Sequence, residues 1–166
     1  MNISAKNSLS IRQFYNENKV LVPKANRADA TIGKLADADS LALRRAVRKL
    51  GDFKYEDASS DSLYEKIRAL ADTYNYTLES GTKYGANNHS VKRAVKDMKV
   101  LSEKYASELK GYGINFDEDG YMSVTSTSVS NVDHSSFEEI FGKESEYMTT
   151  LSAYAKKFNR HVDIYI

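Results

Sequence analysis

From Asp39 onward, apolar residues return at helical intervals. In "DSLALRRAVRKLG", Leu43, Ala46, Val47 and Leu50 share one helix face. Asp39 or Ser40 is placed to cap that helix. Arg44, Arg45, Arg48 and Lys49 fill its last turns, where positive charge suits the dipole, and Gly51 is placed to stop it. A second helix is predicted near 61–79, with Leu63, Ile67, Leu70, Tyr74 and Leu78 on its stripe and Ser62 and Glu65 spaced as a capping box. "SGTKYGANN" then reads as a loop. The third helix, about 90–110, is the most regular. Val91, Val95, Met98, Leu101, Tyr105 and Leu109 form a stripe close to a heptad, suited to core packing or to a partner helix. Gly111 and Gly113 are placed to end it.

The period changes after Gly113. Ile114 and Phe116 alternate with polar residues before "DEDG", and Met122 and Val124 alternate after it, which predicts a β-hairpin at about 114–125. The Ser/Thr-rich run after it reads as strand or coil. "SSFEEIFG" predicts a short helix, with Ser135 and Glu138 spaced as a capping box. A last helix, about 144–159, has Tyr147, Leu151, Tyr154, Ala155 and Phe158 on its apolar face. The ending "HVDIYI" alternates, as an edge strand or a surface meeting another copy would. Residues 1–34 show no clean period. They read as a polar, loosely structured segment with one helical turn at Ile11, Phe14 and Tyr15. The expected fold is mainly α: an antiparallel helical bundle or coiled coil over 35–166, with a small β-hairpin inserted.

Composition narrows the chemistry. The 24 basic and 23 acidic residues of the 166 give a net charge of +1, which argues against a dedicated nucleic-acid binder. Residues 1–30 carry five basic side chains against Glu17 and Asp29, a local +3 read as a solvated tail. With no cysteine, disulfides and thiolate chemistry are excluded. No apolar run reaches the ~18 residues of a membrane span. The N-terminus lacks the apolar core of a cleaved secretory signal. The chain is therefore expected to stay inside the cell or to leave without such a signal.

The most chemical stretch is "NFDEDGYMSV". Taking Asn115 as position 1 of a calcium loop puts Asp117 at 3, Asp119 at 5 and Gly120 at 6. Position 12 is then Ser126, a poor substitute for a bidentate Glu. The preferred reading is a hairpin turn in which Asp and Gly serve the backbone. His89, His134 and His161 show no ligand spacing, and no phosphate-binding glycine motif occurs. No cofactor, metal or enzymatic activity is expected. The twelve tyrosines are expected mostly in or beside the core, with an interface as the alternative.

The order of elements carries a resemblance. A helix contains "TYN" (Tyr74–Asn75), and a long helix and "GYGINFDEDGYMSV" follow. A short acidic helix then closes on "IFG" (Ile140–Gly142) before a helix with "EYMTTL". Over roughly 60–158 this resembles the C-terminal helical region of the flagellar filament cap protein family, the hook-associated proteins that cap the growing bacterial filament. Gly113, Ile114, Asp117, Asp119, Gly120, Met122 and Val124 fill its central segment. Family members are several times longer, with outer β domains that this sequence lacks, and "TSTSVSNVD" stands where the family starts a helix. The resemblance implies a structural, non-catalytic role through helix packing with like copies or flagellin-type helices. It also implies export by the flagellar apparatus to an extracellular place; otherwise the chain is expected in the cytoplasm. The alternative function is a small module that binds a cation or a basic protein through the acidic hairpin.

Overall fold

The computed structural model describes residues 27–164. The expected turn at Ile11, Phe14 and Tyr15, with the rest of 1–26 and the last two residues, lies outside them. Four helices make the frame: α1 (Ile32–Gly51), α2 (Ser60–Gly85), α3 (His89–Lys104) and α7 (Glu146–Arg160). Between α3 and α7 run α4 (Ala106–Gly111), β1 (Ile114–Phe116), β2 (Met122–Val124), α5 (Ser126–Ser130), a 3-10 turn (His134–Ser136) and α6 (Phe137–Phe141).

Each frame helix starts on a side-chain cap. Thr31, Ser59, Asn88 and Ser145 accept hydrogen bonds from the amides of Lys34, Ser62, Val91 and Met148. Each satisfies an amide that the helix itself leaves without a partner. In the frame α1 packs on α2 and α7, and α3 packs on the same two. Helices α1 and α3 are thus diagonal. Asn159 donates to Asp37 and Ser40 in the first half of α1. Lys157 pairs with Asp97 while Lys104 pairs with Glu146, so α7 runs antiparallel to α3. The chain forms the predicted antiparallel bundle with a hairpin.

The stripes read from the sequence meet inside it. Leu43, Leu50, Leu63, Ile67, Leu70, Leu78, Val91, Met98, Leu151 and Phe158 are buried in one cluster. Each such side chain contributes roughly 1.5–3 kcal/mol of transfer free energy. Gly81 lets the helices approach here: a Cβ at that position would run into Phe158 and Val95.

Several boundaries differ from expectation. Helix α1 begins at Ile32, and Asp39 and Ser40 are buried in its middle instead of capping it. Its early core residues are the small Gly33, Ala36 and Ala38, which a search for large apolar side chains passes over. The described fold therefore already takes in residues 27–34. Helix α2 begins at Ser60 with Ser59 as its cap, so Ser62 and Glu65 are no capping box, and it runs through "SGTKYG" to Gly85. The third stripe is interrupted at Tyr105 (φ −98°, ψ 3°), which separates α3 from α4. Gly111 ends α4, and Gly113 turns the chain into β1 at φ 82°.

The hairpin pairs Ile114 with Val124, Asn115 with Ser123 and Phe116 with Met122. Ile114 and Met122 are buried, as the alternation predicts. The Ser/Thr run after it coils into α5, anchored by buried Val129. Asp133, and not Ser135, caps the 3-10 turn that leads into α6. "HVDI" forms no strand; Tyr84 accepts a hydrogen bond from the Asp163 amide at 2.7 Å, and Val162 packs on the core. No described helix is long and apolar enough to cross a membrane.

Candidate functional site

The hairpin is held by a neighbour that sequence reasoning used only as a signpost. Asn75, half-buried on α2, accepts from the Met122 amide at 2.7 Å and donates to the Met122 carbonyl at 2.8 Å. One amide side chain thus does what a third strand would do for β2. Tyr74 beside it meets Phe116 edge-on, with ring centres 6.3 Å apart. The strands are therefore pinned to α2, and the turn projects beyond them.

Within the turn, Asp117 works for the backbone. Its Oδ1 accepts from the amides of Asp119 (3.0 Å) and Tyr121 (2.9 Å), and its carbonyl accepts from Gly120. Gly120 sits at φ 83°, where a side chain would be strained. Asn115 is an exposed residue of β1, and Asp117, Glu118 and Asp119 are exposed at the tip. Ser126, the twelfth position of the calcium frame, opens α5. Among the described residues, no group of three or more His, Asp or Glu is arranged to hold a metal ion. A cleft of about 300 Å³ lies under the tip, walled by Lys99, Ser102 and Glu103 of α3.

The stripe proposed as core or interface falls inward. Val91, Val95, Met98, Leu101 and Leu109 are buried, and Tyr105, at the break, is half-buried against Tyr147 with ring centres 5.2 Å apart. The exposed large hydrophobic residues among those described are Val100 and Ile164. Tyrosines follow the first expectation. Tyr55, Tyr74, Tyr76, Tyr84 and Tyr147 are buried, and Tyr64, Tyr105, Tyr112, Tyr121 and Tyr154 are half-buried.

Four polar features go beyond what the sequence marks. Arg27 grips fully buried Asp39 with two bonds of 2.7 and 2.8 Å and lies 4.2 Å over the Tyr76 ring. Burial pushes the Asp39 carboxyl upward, and Arg27 opposes the shift. On α2, burial pushes Asp72 up to about 6; Arg68, 4.0 Å away, lowers it and Glu65 raises it. One carboxylate oxygen of each acid is buried without a hydrogen bond. His134 is half-buried, bridging the Ala58 carbonyl (2.8 Å) and the Ser60 hydroxyl (3.1 Å), while His89 and His161 are exposed at helix ends. Last, Leu41, Arg44, Arg45 and Arg48 of α1 line a groove of about 430 Å³ with Ser152 of α7. Their spacing of three and four residues was legible, but their charge had been assigned to the helix dipole alone.

No protein-family model matches the chain, and no curated protein or solved structure matches it.

Proposed function

We propose that this chain is a non-catalytic structural protein, a helical module that assembles with like copies or with helical partners of the flagellin type. Its resemblance to the helical region of flagellar filament caps points to that class, and the flagellum is the proposed place of work. One observation carries the reading. The pieces of sequence that bear the resemblance form one physical unit: Asn75 of "YN" binds Met122 of "DEDGYM" through both backbone groups. Tyr112 of "GYG" meets Phe137 and Phe141 edge-on, the latter within "IFG", at 4.8 and 5.9 Å between ring centres. A rigidly mounted tip of this kind suits presentation of a fixed surface to a partner.

Light scattering over a concentration series, with and without purified flagellin, tests the reading. The expected result is a mass above the 18.7 kDa of one chain, alone or in a complex with flagellin. One chain's mass under both conditions would overturn it.

A further inference from the structure

Two features of opposite sign lie on opposite faces of the bundle. The arginine groove runs along the α1–α7 side, where Leu41, Arg44, Arg45 and Arg48 face Ser152. A second groove of about 260 Å³ continues it past Arg48 and Ser152 to Lys143 and Asp52. Arg44 and Arg48 have no ion pair among the described residues. The acidic tip lies on the α2–α3 side, because β2 packs on α2 and the turn overhangs Lys99, Ser102 and Glu103 of α3. Since α1 is diagonal to α3 and α2 to α7, the α1–α7 and α2–α3 sides are opposite sides of the frame.

We propose that the Arg44–Arg48 groove receives the Asp117–Asp119 tip of a second copy of this chain. The proposal rests on the structural reading. The occupant is chosen by charge complementarity: three consecutive exposed acids, held out by a pinned hairpin, match arginines lining an open groove. The two surfaces lie on opposite sides of the frame, so one partner cannot return the contact; it is head-to-tail and yields rings or open chains instead of a closed two-fold dimer. Asp117 keeps one oxygen for its own turn, which leaves Glu118, Asp119 and the other Asp117 oxygen for the arginines.

Two charge reversals and their mixture make the test by sedimentation velocity. One variant carries Arg44→Glu and Arg48→Glu; the other carries Glu118→Lys and Asp119→Lys and keeps Asp117. Each alone is expected to weaken self-association at least about tenfold, since like charges then face each other. Mixed in equal amounts, they are expected to assemble again, because each groove then finds a tip of opposite sign. Damage to the fold could not be repaired by mixing, and unchanged circular dichroism melts serve as the second control. Native-like assembly of either variant alone, or no recovery on mixing, would overturn the contact. If the native chain binds flagellin but never itself, the tip-to-groove contact is wrong and the structural reading stands. If it binds neither, both fall.

Discussion

Helix α3 and the turn above it lie side by side and face opposite ways. The helix carries the most regular apolar stripe in the chain, and Val91, Val95, Met98 and Leu101 are buried in the bundle. The turn carries the densest run of acids, and Asp117, Glu118 and Asp119 all meet solvent. A stripe near a heptad is as good a coiled-coil seam as a core face. Which it becomes depends on whether other helices of the same chain can cover it. Here α2 and α7 do so. Among the described residues the exposed features are then mostly charged, and in the proposed assembly charge would govern encounter and orientation more than raw affinity.

The sharpest way to break this contrast is to reverse polarity on α3 two residues apart. Met98 is fully buried and Val100 is 55% exposed. Met98→Asp places an unpaired carboxylate in the core and is expected to cost about 4 kcal/mol or more, abolishing a cooperative melt. Val100→Asp is expected to change stability by no more than ~0.5 kcal/mol. Similar melts for the two variants would show that the stripe is not the core.

The next effect concerns how firmly the tip is mounted. Asn75→Ala removes both bonds to Met122 and leaves a buried strand residue with two backbone groups to satisfy. The expected loss is roughly 1–3 kcal/mol in urea melts, with faster amide exchange at Met122 than in α1. Equal Met122 exchange in the variant and the native chain would mean that the hairpin holds without its clamp.

A pH-dependent effect of similar size comes from a half-buried carboxylate on α2. Burial pushes the Asp72 carboxyl up from its ordinary 3.8 to about 6 in the folded chain. The folded state therefore holds this proton more tightly than the unfolded state. The group's penalty is absent below the ordinary value, grows between pH 4 and 6, and is complete above. Asp72→Asn is expected to raise stability at pH 7 by about 1–3 kcal/mol and to leave it unchanged below pH 4. A loss at pH 7 would show that the pairing with Arg68 outweighs burial.

Much of the frame was legible because Leu, Ile, Val and Tyr at three- and four-residue spacing mark a face wherever large side chains define it. The start of α1 was not, since Gly33, Ala36 and Ala38 bury a face that hydrophobicity barely marks. The continuation of α2 through Ser80 and Gly81 was hidden for a related reason. Gly81 looks like a loop residue, yet it serves a close approach by Phe158, more than 70 residues later in the chain. The hairpin could be read from alternation alone. Its clamp could not: Asn75 and Met122 are joined across 47 residues of sequence. The arginine groove needed Ser152 from α7 to become a groove at all.

On the proposed reading, the apolar stripe folds the chain and charged faces assemble it. Sedimentation velocity of the native chain over a salt series tests this most directly. The Debye length shrinks from ~30 Å at 0.01 M to ~3 Å at 1 M, so contacts between exposed charges should fade across that range. Assemblies larger than 18.7 kDa are expected at low salt, falling to a single chain as salt rises. Assemblies that persist in high salt and disappear in Val100→Asp would contradict it, placing the contact on apolar surface.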